Sequence, residues 1–437
     1  MTRISLLVAV AGAICLSPPS ASAQPSVGVP LDLATLQEEA QAVDPRAREL
    51  ALQQAQTDLR SQVIKADRLP AVTTQGQFQY QSDVPTAPFL LPNGQPPFTP
   101  PKDTYDLSLR VDERLLDPTV SPRLSLEQAE LAESHARVRT SLYGLREEVN
   151  DAFFAAALLE QQEGTLAATI ADLEKRLAET ELRVREGTSI ASDASAVEAT
   201  LMERRQNQAE LQARRHTALA RLSALTGRTL IDADTLAVPE LDVKVSEARA
   251  SLSDVRARPE YDLFKRTRER LERQGDATVA NDRPLVSIYG RGGYGKPALN
   301  VIGNEFEFYG LAGIQFQWKA WTWGSAGHER DALALQQQIV LADEEAFTDS
   351  LRRAVQGDLD TIDQLRSVVE LDARIISLRE AVERTTSSRL AENVVTASEY
   401  LDRSTELLSA RFAEATHRIE LAQASARFLT QLGLEVR

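Results

Sequence analysis

The sequence predicts a mixed α/β membrane protein, in which long antiparallel α-helical hairpins are joined to four transmembrane β-strands per chain. Three observations predict it. The chain is an internal duplication: Arg185-Glu186-Gly187-Thr188-Ser189-Ile190-Ala191-Ser192-Asp193 lies over Ala391-Glu392-Asn393-Val394-Val395-Thr396-Ala397-Ser398-Glu399 at an offset of about 206 residues, and the same shift carries Gly227 onto Gly433. Each copy contains two segments of apolar/polar alternation. Each then runs into a proline-free helical stretch longer than a globular domain uses.

The N-terminus reads as a leader. Arg3, the apolar run Ile4 to Leu16 and the small residues Ala21-Ser22-Ala23 predict a signal peptide, residues 1–23, cleaved before Gln24. Ile14 stands before Cys15 where a lipid-modified leader needs a small residue. Cys15 is the single cysteine, so its removal leaves no disulfide and no thiol chemistry. The first repeat then covers residues 24–228 and the second 229–437.

In the first repeat, Leu31 to Lys65 has helical periodicity interrupted at Asp44-Pro45, where proline suits a first turn, and this predicts two short helices. From Val72 the period becomes two. Val72, Thr74, Gly76, Phe78 and Tyr80 alternate with Thr73, Gln75, Gln77 and Gln79, and after a proline-rich loop from Ser82 to Lys102, Tyr105, Leu107, Leu109 and Val111 alternate with Asp106, Ser108, Arg110 and Asp112. This is a β-hairpin over residues 71–116. Proline is absent from Arg123 to Val238, which predicts a helical hairpin over 122–226 whose break falls near Gly187.

The second repeat opens with an irregular linker from Gly227 to Asp254 and a helix from Arg258-Pro259 to Gln274, together spanning 229–282. Its β-hairpin, 285–318, alternates Val286, Ile288, Gly290, Gly292 and Tyr294 and then Phe306, Phe308, Gly310, Ala312, Ile314, Phe316 and Trp318. Leu351, Val355, Leu359, Ile362, Leu365 and Val369 carry the 3.6-residue period of a helical hairpin over 325–433. A helix of about 65 residues reaches roughly 100 Å.

Charge and composition exclude several functions. The net charge is −15, or −16 once Arg3 leaves with the leader, which argues against nucleic acid and against adhesion to anionic lipid. No later segment offers the roughly 18 to 20 apolar residues of a spanning helix, so any membrane entry is by strands. Four strands cannot close a barrel, and unpaired edges in lipid are too costly, so several chains must share one. The alternative for the strands is a soluble sandwich with one wet face. Trp318, Trp321 and Trp323 end the fourth strand, where they mark the bilayer boundary or else a buried aromatic core. His135, His216, His328 and His417 are scattered, so neither a metal site nor a histidine triad is assembled, and no cofactor is expected. Gly290-Arg291-Gly292-Gly293-Tyr294-Gly295 lacks the Lys-Ser/Thr pair of a phosphate loop and opens no helix; its glycines relieve crowding in a twisted strand.

The layout resembles the TolC-like outer membrane efflux proteins. The matching pieces are Arg68-Leu69-Pro70 before the first strand, Arg185-Glu186-Gly187-Thr188, Leu225-Thr226-Gly227 and Gln431-Leu432-Gly433, in order and duplicated. The resemblance implies a homotrimer whose twelve strands form one barrel in the cell outer membrane, with the helices forming a periplasmic tunnel. It further implies a passive exit duct served by a periplasmic adaptor and an inner-membrane pump of the RND, ABC or MFS type. By the same resemblance Glu399 and Asp402 ring the channel entrance, with Asp193 as their first-repeat counterpart, and the tip turns at Gly187, Thr188, Asn393 and Val394 contact the adaptor. The polar latch such proteins build at Asp193 loses its partners here, because Leu390 and Val395 replace them; Arg389, Arg384 and Arg403 are the candidate substitutes. The competing reading is a purely structural periplasmic coiled-coil protein without a pore.

Overall fold

A computed structural model describes residues 30–85, 89, 91–92, 94, 98–250, 257–300 and 303–436. The leader, and parts of the proline-rich loop and of the linker, lie outside the described residues. A two-residue strand β1 (Leu31–Asp32) leads into α1 (Leu33–Val43), for which Asp32 is the N-cap, its carboxylate accepting from the Thr35 amide at 3.3 Å. Asp44 separates α1 from α2 (Pro45–Ala66) and caps the latter, with Pro45 in the first turn.

Strands β2 (Ala71–Tyr80) and β3 (Asp103–Leu116) form the first β-hairpin; the helical hairpin that follows is α3 (Val120–Arg185) and α4 (Ala191–Thr226). The second repeat has β5 (Leu285–Lys296), β6 (Glu307–Gln317), α7 (Ser325–Ala391) and α8 (Ala397–Gln431) in the same order. At 66 and 67 residues, α3 and α7 each extend roughly 100 Å. Their C-terminal halves pair with α4 and α8. Their N-terminal halves are covered by the shorter helices α2 and α6 (Pro259–Ala280).

The linker differs from expectation. Within it β4 (Leu236–Ala237) pairs in parallel with β1, and α5 (Asp242–Ala250) packs Val245 and Ala248 into the core. Nine residues carry too few turns for a period to stand out in sequence. Helix α6 also runs past Gln274, through Gly275 to Ala280, and buries Gly275, Ala277 and Ala280.

One apolar core lies where α1, α5 and the ends of α4 and α8 meet the long helices; Leu33, Leu36, Phe153, Phe154, Ile362 and Phe428 are fully or almost fully buried there. A polar thread crosses it, with Gln37 donating to Asn150 at 2.6 Å and Asn150 to Thr430 at 3.3 Å. A second core runs toward the hairpin tips through Leu166, Leu173, Val197, Leu401 and Leu408. Among the described residues no helix is long and apolar enough to cross a membrane.

Candidate functional site

Two regions at opposite ends of the long helices carry the residues singled out in the sequence. The first is one antiparallel sheet in the order β2-β3-β5-β6. Its register puts Val72, Gly76 and Phe78 of β2 opposite Val111, Leu107 and Tyr105 of β3, and Leu107 in turn opposite Tyr294 and Tyr294 opposite Phe308. The four strands therefore gather most of their apolar residues on one face. That face is bare: Leu107, Phe308 and Ile314 are 61%, 87% and 74% exposed. Such exposure is what a lipid-facing surface shows in an isolated chain, and it is opposite to the buried inner face of a sandwich.

The other face is a connected polar surface. Arg291 donates to Ser108 at 2.9 Å and also to Asp106, which Tyr309 meets as well, while Arg110 grips Asp112 through 2.8 Å bonds and lies over the Tyr289 ring. Glycines make room for the two tyrosines. Tyr309 is paired across the strands with Gly293 and Tyr289 with Gly313, and a Cβ on either glycine would stand 2.7 Å from the facing ring or hydroxyl.

Aromatic residues mark both ends of the sheet. At the loop end Phe78, Tyr105, Phe306, Tyr294 and Phe308 form a chain of ring contacts with centroids 4.6 to 5.7 Å apart. At the helix end Trp318, Trp321 and Trp323 are 56%, 74% and 85% exposed, so they form no buried aromatic core within the chain. The turn that presents them is left-handed at both Trp323 (φ 53°) and Gly324 (φ 76°). From Phe308 to Trp318 is roughly 33 Å along a strand.

The second region is the tip. Both long helices end in the same left-handed turn, at Gly187 (φ 77°) and Asn393 (φ 56°). The two tips lie side by side and enclose a groove of about 370 Å³ lined by Asp193 and Glu399 together with Thr188, Asn393 and Val394. Gly187 sits in the turn outside the groove lining, and Asp402 lies on α8 three residues beyond Glu399, also outside it. Glu399 and Asp402 are both exposed; the Thr396 hydroxyl caps α8 by accepting from the Glu399 amide at 3.3 Å.

Within the chain Asp193 accepts from the Ser189 hydroxyl at 3.0 Å. Two of the three candidate substitutes point elsewhere: Arg403 donates to Glu406 at 3.0 Å, and Arg384 to a carbonyl of its own helix. Leu390 is buried with Ala397 and Tyr400, so the latch position is filled by apolar packing. The sequence reading missed Tyr400, Arg176 and Asp172, which tie the hairpins together beneath the tip. The signal was present, since Tyr400 follows Ala397 by three residues and precedes Leu401 and Leu408 on the buried face of α8.

Residues 36–228 match the family model of the outer membrane efflux protein. No curated protein matches the chain in sequence. Among solved structures the fold is similar to that of CusC, at 15% identity and a TM-score of 0.65, covering 92% of each chain. It is similar to VceC of Vibrio cholerae, at 15% identity and 0.63 over 93% of this chain and 97% of that one, and to the open state of the MtrE outer membrane channel of Neisseria gonorrhoeae, at 16% and 0.64 over 93% and 89%. Over residues 36–228 the chain matches the outer membrane efflux protein family in sequence, and over nine-tenths of its length its fold is similar to that of these outer-membrane channels.

Proposed function

We propose that three copies of this chain assemble into an outer-membrane exit duct, through which a tripartite efflux or type I secretion system passes small molecules to the exterior. The observation that carries it is the open sheet. Edge strands β2 and β6 have no partner among the described residues, and the face between them is apolar and bare. Open edges are not tolerated in lipid, so β6 of one copy pairs with β2 of the next until the sheet closes. Three copies supply twelve strands, with the Arg110, Asp106 and Arg291 face lining a wet lumen. The repeats 24–228 and 229–437 each contribute one β-hairpin and one helical hairpin to the barrel and the periplasmic tunnel.

Transport is passive, driven by an inner-membrane pump of RND, ABC or MFS type through a periplasmic adaptor that meets the tip turns at Gly187, Thr188, Asn393 and Val394. Glu399 and Asp402, joined by Asp193, place a negative ring at the entrance. Such rings favour cations and repel anions. A purely structural coiled-coil protein has no use for the bare apolar sheet. The test is the current through the detergent-purified oligomer in a planar bilayer, beside a Glu399→Ala/Asp402→Ala variant. A cation-preferring pore whose preference weakens in the variant is the expected result; a correctly assembled oligomer that neither enters the bilayer nor conducts overturns the reading.

A further inference from the structure

The helix end of the sheet carries cations that the chain leaves unanswered. Strands β2 and β5 start there, at Ala71 and Leu285, and β3 and β6 finish there, at Leu116 and Gln317. Arg68 lies in the turn from α2 into β2, Arg283 in the matching turn from α6 into β5, and Lys319 in the turn from β6 to α7. The duplication has thus put an arginine at the same junction twice. All three cations are exposed, and among the described residues none has a side-chain hydrogen bond or an ion pair.

The acids beside them are mostly tied to the fold. Asp67 accepts from Arg123 at 2.5 Å, Asp117 from Arg114 at 2.9 Å and Asp282 from the Thr322 hydroxyl at 3.2 Å; Glu113 of β3 has no such partner among the described residues but is half-buried. The other end of the sheet is built the opposite way, with Lys296 paired to Asp103 at 3.4 Å and Lys102 donating to the Ser82 carbonyl at 3.1 Å. Free cations therefore gather at one end only. Apolar groups gather with them: Trp318, Trp321 and Trp323 are exposed there, and Leu69, next to Arg68, is 65% exposed. Indoles and the apolar stems of Arg and Lys suit the depth where acyl chains meet head groups, with the charged tips reaching the phosphates. The chain's net charge of −15 does not cancel this, because charge in salt water is felt over only about 10 Å.

We infer that Arg68, Arg283 and Lys319, with the three indoles beside them, form a head-group site for anionic phospholipid in the leaflet on the helix side of the membrane. The inference rests on the reading of the bare sheet face as lipid-facing, and it adds a lipid preference to that reading. The occupant is an anionic lipid because a zwitterionic head group brings an ammonium that the same three cations repel, whereas a phosphatidylglycerol head group brings only the phosphate charge.

All the tryptophans of the chain lie at this site, so their fluorescence reads the lipids that occupy it. The full-length oligomer is reconstituted in vesicles of equal parts phosphatidylcholine and phosphatidylglycerol, with bromine near the glycerol backbone of one lipid or of the other. The expected result is stronger quenching by brominated phosphatidylglycerol, corresponding to an enrichment beside the indoles of roughly fivefold, which is what the attraction of about one cation supplies. In the variant Arg68→Gln/Arg283→Gln/Lys319→Gln, which keeps every indole, the two lipids quench alike. Equal quenching by both lipids in the wild type overturns the site and leaves the membrane placement standing. An enrichment that the triple variant retains overturns its assignment to these cations. Quenching by neither lipid takes the sheet out of the bilayer, and overturns the duct and the site together. Should the triple variant fail to assemble, the three single variants are read in the same vesicles; each loses part of the enrichment, and full enrichment in all three overturns the site.

Discussion

Gly187 and Asn393 occupy the same place in two copies of one turn. Each has a left-handed backbone, and in each copy the following amide closes the helix end, Thr188 N–H donating to the Arg183 carbonyl and Val394 N–H to the Arg389 carbonyl, both at 2.9 Å. The duplication has thus kept a hydrogen-bond pattern while the residue at its centre changed. Asparagine is the substitute that this conformation tolerates best, because its short polar side chain suits a left-handed turn.

The turns rank in their tolerance of a side chain. No atom lies within 4 Å of a Cβ placed on Gly187, so Gly187→Ala meets only backbone strain, about 1–2 kcal/mol. At Gly227 (φ 68°) a Cβ would also stand 2.8 Å from Val43, and Gly227→Ala therefore costs more. Asn393→Gly relieves strain and is neutral or stabilising by up to about 1 kcal/mol. Hydrogen exchange at the Thr188, Val394 and Arg228 amides checks the order; equal protection losses at Gly187→Ala and Gly227→Ala would contradict it.

Asp44 holds the start of α2 through its charge. The Arg46 side chain beside it pulls its carboxyl below the usual range, outweighing partial burial, and the Arg46 amide at 2.8 Å acts in the same direction. A depressed carboxylate stabilises above its unfolded pKa of about 3.9 and loses that contribution as pH falls through the lower folded value. At neutral pH Asp44→Ala loosens the first turn of α2 by about 1 kcal/mol, mostly the lost cap, since an exposed ion pair adds only ~0.2–1 kcal/mol. Exchange of the α2 amides followed from pH 7 to below pH 4 shows the difference between wild type and Asp44→Asn shrinking on acidification; a constant difference would rule out the charge.

Gly293 is required by its neighbours Tyr309 and Ser108 rather than by its own backbone. A methyl there would lie 2.7 Å from the Tyr309 hydroxyl and 2.8 Å from the Ser108 Cβ, with two strands fixed on either side. Gly293→Ala costs about 1–3 kcal/mol by overpacking. Tyr309→Ser in the same chain removes the ring but leaves the Ser108 Cβ, and so restores only part of the assembly of the heat-resistant oligomer on gels. Failure of that second substitution to rescue would place the strain elsewhere.

Much of this was legible in the sequence, for a physical reason. Period-two and period-3.6 patterns are imposed by burial on one face, so strands 71–80 and 285–296 and helix 325–391 announced themselves, as did the tip turn through Gly187. What stayed hidden depends on pairing across long separations. The order β2-β3-β5-β6 joins Asp106 to Arg291, and nothing local to either residue specifies that neighbour. Asp172 and Tyr400 are likewise 228 residues apart, and an aspartate on a charge-rich helix reads as solvated until its partner is placed. Helix α5 was missed because nine residues carry barely two buried positions.

The three tryptophans give the membrane position an intrinsic probe. Trp318, Trp321 and Trp323 are all the tryptophans the chain has, and all lie between the end of β6 and the start of α7. Trp321 and Trp323 meet edge to face at 5.7 Å and both stay largely exposed. Indole favours the headgroup boundary, where its ring is sheltered and its N–H is wet. The fluorescence of the reconstituted oligomer is therefore quenched most by lipids brominated near the glycerol backbone and least by those brominated at the chain ends. Aqueous acrylamide adds partial quenching. Strongest quenching by the chain-end bromines would bury the cluster in mid-bilayer, and quenching by acrylamide alone would lift it off the membrane, moving the boundary away from the strand-to-helix turn at Gly324.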